Sequence, residues 1–168
     1  MERQIGFEPV FNEESEVLIL GSFPSVMSRA AGFYYGNPRN AFWRVVCGFF
    51  GEEIPTDIEG KRQFLLRRHI ALWDIVASCE IVGSRDETIS GEALVSLDEI
   101  LKRAPVRAIF CNGATAYRLF VRQAGKGSPA FCMARKLTST SPRTAAKYNA
   151  EAQWHTALAA LFPADSKK

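Results

Sequence analysis

Val17-Leu18-Ile19-Leu20-Gly21-Ser22-Phe23-Pro24-Ser25 is the stretch that decides the fold. Four aliphatic residues in a row leave no polar face, so Val17 to Leu20 reads as a strand covered on both sides, the habit of a parallel sheet. Gly21 ends the run and allows close backbone approach to a ligand, while Pro24 stiffens the turn that follows. Ile70 to Trp73, Val106 with Ala108 to Cys111, and Ala130 to Met133 repeat the design. Helical spacing of Phe42, Val45, Val46 and Phe49 predicts a helix from Asn40 to Phe50, and Ile58 to Arg68 is a second. Ser90 followed by Leu94, Leu97, Ile100 and Leu101 predicts a third helix, stopped before Pro105. Ala114 to Gln123 is a fourth, and Ala145 to Phe162 closes the chain. This alternation predicts an α/β fold, three-layer α/β/α, with a central, about four-stranded parallel sheet in a single domain over residues 1–168. Sites in such sheets collect at the carboxyl ends of the strands, which points to loops 21–43, 74–90, 112–115 and 135–145.

Composition agrees with one packed core: of 168 residues, 47% are hydrophobic and 23% charged, a balance that excludes a disordered chain. No window approaches the roughly 18 apolar residues of a membrane helix, and no basic-then-apolar leader opens the chain. Cys47, Cys79, Cys111 and Cys132 have no close pair, so reduced and mostly buried thiols are expected rather than zinc or iron–sulfur ligands. The net charge of +3 conceals an asymmetry: residues 1–99 hold 9 basic and 16 acidic side chains, whereas residues 100–150 hold ten basic residues and no carboxylate. That segment suits a polyanionic partner such as nucleic acid, or else forms a basic solvated face.

Two loops carry most of the chemistry. Gly21 to Ser25 is followed by Gly32-Phe33-Tyr34-Tyr35-Gly36-Asn37-Pro38-Arg39-Asn40-Ala41-Phe42-Trp43, and it is no Walker loop because Gly-Lys-Ser/Thr is missing. Leu137-Thr138-Ser139-Thr140-Ser141-Pro142-Arg143-Thr144 is a hydroxyl-rich turn inside the basic segment, which by itself also reads as an N-cap cluster. With Ala71-Leu72-Trp73-Asp74, Ser78-Cys79-Glu80 and Phe110-Cys111-Asn112-Gly113, these segments resemble the uracil-DNA glycosylase superfamily, and within it the hypoxanthine-DNA (deoxyinosine) glycosylase branch. The resemblance implies a monofunctional enzyme that binds DNA containing deaminated bases, flips one nucleotide out of the stack and hydrolyses its N-glycosidic bond with no metal or cofactor.

Loss of a base passes through an oxocarbenium-like sugar, so the site needs a positioned water, donors for charge developing on the base, and a base pocket. Members with the strongest uracil chemistry carry Asp or Asn at the position of Phe23, and the resemblance to the hypoxanthine branch moves the water-orienting role to Asn40. A helix N-cap is the alternative reading of Asn40. Phe42 resembles the phenylalanine that stacks on the extruded base, with core packing as its alternative. Asp74 falls where relatives read the base edge, although a carboxylate capping a loop would look the same; Gly21 and Ser22 belong to the pocket wall. Asn112 is placed to touch the base, or simply to make the turn before Gly113. Asp86 and Glu80 are further candidates for orienting water. Ser139 replaces the superfamily histidine; Ser139 and Ser141 are expected to contact phosphates, and Arg143 falls at the wedge position. His69 and His155 lie outside every motif. The sequence thus predicts a hypoxanthine-directed glycosylase of base excision repair, monomeric and cytoplasmic, associated with the nucleoid if bacterial. A mismatch-specific uracil glycosylase and a non-catalytic nucleic-acid-binding module are the alternatives.

Overall fold

Val17 to Leu20 are wholly buried and pair in parallel on both edges, with Ile70 to Trp73 on one side and Ala108 to Cys111 on the other. The computed structural model describes residues 2–163. Along it run β1 (Gln4–Ile5), β2 (Val17–Gly21), α1 (Val26–Ala31), α2 (Phe42–Phe49), α3 (Ile58–Arg67), β3 (Ile70–Asp74) and β4 (Val76–Glu80). A 3-10 turn (Asp86–Thr88) precedes β5 (Ser90–Leu94), α4 (Asp98–Leu101), β6 (Ala108–Asn112), α5 (Ala114–Ala124), α6 (Pro129–Met133), β7 (Ala134–Leu137) and α7 (Ala150–Leu161). The main sheet is parallel and four-stranded, in the order β3-β2-β6-β7.

That order fixes the layers. The step from β2 to β3 goes one way across the sheet and the step from β6 to β7 goes the other, so right-handed crossovers put α1 to α3 on one face and α5 with α6 on the opposite face. Helix α7 returns to the first face and packs on α2. Trp154 of α7 is wholly buried and meets Phe42 edge-on at 6.2 Å and Phe110 of β6 at 6.3 Å. Phe50 extends this aromatic layer to Phe64 and Phe162. Each such buried ring contributes about 1.5–3 kcal/mol through area removed from water.

Three expectations are corrected. Ala130 to Met133 lies within the short helix α6, because Ser128 caps it by accepting from the Phe131 N–H and Pro129 occupies its first turn; the edge strand is the next segment, Ala134–Leu137. Ser90 to Leu94 is not helix but β5, paired antiparallel with β4, and only Asp98–Leu101 coils. These strands and β1 form a second, three-stranded sheet in the order β1-β4-β5. The last helix begins at Ala150 rather than Ala145, with Asn149 in the left-handed region at φ 50° accepting from the Ala152 N–H. Residues 142–149 before it form hydrogen-bonded turns, the Ala145 N–H donating to the Ser141 carbonyl and the Tyr148 N–H to the Thr144 carbonyl.

Candidate active site

Between β2 and β6 the direction of winding reverses, and the crevice beyond the carboxyl ends of strands at such a point is where α/β sheets bind ligands. A cavity of about 420 Å³ opens there. Gly21, Asp74 and Asn112 at the ends of β2, β3 and β6 meet in it, and the loops at 22–28, 34–40, 84–87 and 139–143 supply the rest of the wall.

Gly21 sits beside Asp74 in the ladder, and a Cβ at position 21 would overlap Asp74 Oδ1. Only glycine allows that carboxylate to fold across the strand end. Asp74 is 5% exposed, and no group among the described residues donates a hydrogen bond to its side chain. Burial first, and the charge of Asp86 second, push its carboxyl up to about 7. Asp86 reaches the same cavity from the 3-10 turn: Ser22 Oγ donates to its Oδ2 at 2.6 Å. Burial raises the Asp86 carboxyl above the usual range, opposed by the Ser22 hydrogen bond, with Glu87 raising it further and Arg143 lowering it. The turn itself is docked on α1, since the Val26 N–H donates to Ser84 Oγ at 2.8 Å and Arg29 donates to the Gly83 carbonyl.

Tyr35, which the motif reading left without a role, is central to the wall. Its backbone is held in the left-handed region at φ 53°, which strains a bulky residue and needs compensation from its surroundings. That comes from stacking on Phe42, with ring centroids 4.1 Å apart, and from Asn112 Nδ2, which donates to the Tyr35 hydroxyl at 3.0 Å. The tyrosine proton stays available to an acceptor in the cavity. Phe42 is therefore corrected: it is wholly buried behind Tyr35, packed against Trp43 and Trp154, and does not line the cavity. Phe23 lines it, with the Arg29 guanidinium 5.7 Å from its ring centre.

Asn112 lines the cavity but spends its amide on the protein. Nδ2 also donates to Thr140 Oγ1 at 2.9 Å, and Oδ1 accepts from the Thr140 N–H at 2.9 Å. Both donors are used, so Asn112 acts as a strut between β6 and the 139–143 loop rather than as a donor to a base. Thr140 continues the chain of contacts, its carbonyl accepting from the Ala41 N–H at 2.9 Å. This joins the two motif loops across the cavity.

Asn40 stands in the wall with Oδ1 accepting from the Phe42 N–H at 2.9 Å. This bond opens α2, yet leaves the second lone pair of Oδ1 and both Nδ2 protons without a partner among the described residues. Ser139 Oγ accepts from the Ser141 N–H and Ser141 Oγ from the Arg143 N–H, so each hydroxyl proton is left to donate outward. Arg143 is exposed on the rim, 3.6 Å from Glu87 across the mouth. Arg85, outside every motif, and Asn37, inside the 34–43 motif but given no role there, also line the opening. Glu80 is not among the lining residues.

The basic segment is not one continuous face. Arg107 lies at the amino end of β6, bound to Glu16 and the Leu161 carbonyl, while Arg122 pairs with Glu92 and Lys102 with Asp98. Arg143 alone of the ten lines the cavity. His69 pairs with Glu16 and His155 with the Val45 carbonyl, both away from it. Three cysteines are buried, Cys132 is exposed, and all four are free thiols. Among the described residues no group of three or more His, Cys, Asp or Glu is placed to hold a metal ion.

A cavity at the winding reversal, with an acceptor unpartnered among the described residues at its floor and hydroxyls and a guanidinium on its lip, is where an α/β/α protein of this layout binds a polar ligand. The family model for the uracil DNA glycosylase superfamily matches residues 8–161. The chain belongs to that superfamily. It is similar to a hypoxanthine DNA glycosylase of Methanosarcina barkeri, 34% identical over 110 residues, covering 64% of this chain and 70% of that protein. It is likewise similar to a hypoxanthine DNA glycosylase of Methanosarcina acetivorans, 37% identical over 113 residues, covering 66% of this chain and 72% of that one. A solution NMR structure of a candidate uracil DNA glycosylase from Methanosarcina acetivorans superposes with a TM-score of 0.78 at 32% identity, over 95% of this chain and 99% of that one.

Proposed function

We propose that this protein is a monofunctional DNA glycosylase that removes hypoxanthine from deoxyinosine in base excision repair. The observation that carries this reading is the Asp74 carboxylate, buried at the cavity floor with no donor among the described residues. Hypoxanthine presents an N1–H beside a carbonyl at C6. An ionised Asp74 accepts from N1–H, and a protonated one adds an O–H donor for O6; a carboxyl raised to about 7 serves in either form. Adenine, the parent base, has a lone pair at N1, which the carboxylate repels. Extruding a base that pairs poorly costs less than extruding a well-paired one, which adds selectivity before the pocket is reached.

In this reading Tyr35 walls the flipped base and Asn40 orients the water toward C1′. Ser139 and Ser141 hold flanking phosphates, and Arg143 occupies the gap in the stack or grips a phosphate beside it. One chain supplies every wall of the cavity, which supports action as a monomer. The test is to incubate the protein with labelled duplexes containing inosine, uracil or no lesion, then break abasic sites with alkali. Cleavage confined to or strongest at inosine is expected. Cleavage at uracil alone would replace hypoxanthine as the substrate, and cleavage of none would reduce the protein to a binding module.

A further inference from the structure

The cavity holds two carboxylates, and reading the base occupies one of them. Asp74 lies deep at the end of β3, whereas Asp86 is half-buried nearer the mouth, between Ser22 and the rim residues Glu87 and Arg143. The hydroxyl of Ser22 holds Asp86 Oδ2 across 64 residues of chain, and no described group donates to Oδ1. The attacking water must also lose a proton, and a positioned acceptor speeds that transfer. The amide of Asn40 orients a water but is no base, and neither histidine reaches the cavity. Glu87 is exposed on the rim and faces Arg143.

We propose that Asp86, fixed by Ser22, is the general base that deprotonates the water oriented by Asn40. The inference rests on the glycosylase reading above. The water oxygen bonds to C1′ as the C1′–N bond breaks, and the bonding pair leaves with the base nitrogen. The water proton passes to Asp86 Oδ1, and the departing base regains a proton from solvent. The products are the free base and an abasic deoxyribose, with no other reactant consumed. The negative carboxylate near the mouth also lowers the energy of the positive charge that develops on the sugar. The groups facing Asp86 are the Ser22 hydroxyl, Asp74, Glu87, Arg143 and the Tyr35 hydroxyl. Only the ionised carboxylate accepts a proton, so the rate falls as pH drops through its titration.

The experiment is single-turnover excision from an inosine duplex between pH 5 and 9, with wild type, Asp86→Asn, Ser22→Ala and Asp74→Asn. Asp86→Asn is expected to lose about 100-fold or more at pH 8, the scale of a positioned base, and to lose the acid limb of the profile. Ser22→Ala removes a hydrogen bond that favours the charged form, so its acid limb moves to higher pH. An Asp86→Asn protein that keeps both the wild-type rate and its acid limb overturns the proposal, as does a limb that moves only in Asp74→Asn. Wild type that releases no base from any duplex overturns the glycosylase reading and this inference together.

Discussion

Replacing Asp74 by Asn removes one ionisable group and almost no volume, so its effect on stability isolates the cost of burying that carboxylate. An unperturbed aspartate titrates at 3.8, and Asp74 in the folded chain at about 7. At about 1.4 kcal/mol for each tenfold change in proton affinity, that rise is a penalty of about 4 kcal/mol once both states are ionised. The folded state holds the proton more tightly. Stability from this group is therefore undiminished below pH 3.8, declines as pH rises toward 7, and is lost in full above 7. Urea unfolding at pH 4.5 and pH 8 measures it. Asp74→Asn is expected to exceed wild type by about 4 kcal/mol at pH 8 but by only about 1 kcal/mol at pH 4.5, with similar denaturant slopes. A variant no more stable than wild type at pH 8, or a difference that does not change with pH, would refute the reasoning.

The other contacts of the cavity give separate expectations. Gly21→Ala places a methyl on Asp74 Oδ1, so excision from inosine should fall by about 10-fold or more, read as loss of a base contact worth about 1–3 kcal/mol. Asn112→Ala leaves the buried Thr140 amide unpaired and frees Tyr35, which should cost about 1–3 kcal/mol in denaturant unfolding as well as activity. Asn40→Ala should lower the single-turnover rate by about 100-fold or more with DNA affinity nearly intact; an unchanged rate removes it from the mechanism. Arg143→Ala should weaken binding to an inosine duplex by about 1–3 kcal/mol in a titration, and an equal loss on undamaged DNA would make it a plain phosphate contact.

The central strands were legible because strands buried on both faces must be aliphatic, and Val17 to Leu20 has no other economical reading. Ala130 to Met133 shares that composition and still coils, because Ser128 and Pro129 set a helix start that a count of apolar residues ignores. The antiparallel pairing of β4 with β5 was hidden by Leu94, Leu97 and Leu101, whose spacing suits a helix, whereas Leu94 ends the strand and only the last of the three is helical. In the site, Asp74 was marked out by its place at a strand end and Asn40 by the family resemblance of the 34–43 loop, and both line the cavity. Tyr35, not Phe42, lines the cavity because the six-residue loop 36–41 brings Tyr35 over the ring of Phe42, a matter of packing with no local signature. Asp86 and Glu80 could not be told apart in the sequence, because the hydroxyl that holds Asp86 at the cavity lies 64 residues away and such contacts leave no periodicity to read. Net charge along the chain could not say which basic residues reach the cavity: Lys102, Arg107 and Arg122 are held by Asp98, Glu16 and Glu92, and Arg143 alone of the ten lines it.

The most direct test of the account is the identity of what the protein releases. A duplex with a single deoxyinosine, incubated with a stoichiometric amount of protein, should yield free hypoxanthine by mass spectrometry and an abasic strand in equal amount, while Asn40→Ala yields about 100-fold less in the same time. Hypoxanthine that stays attached to the strand, or a release as fast from Asn40→Ala as from wild type, would contradict it.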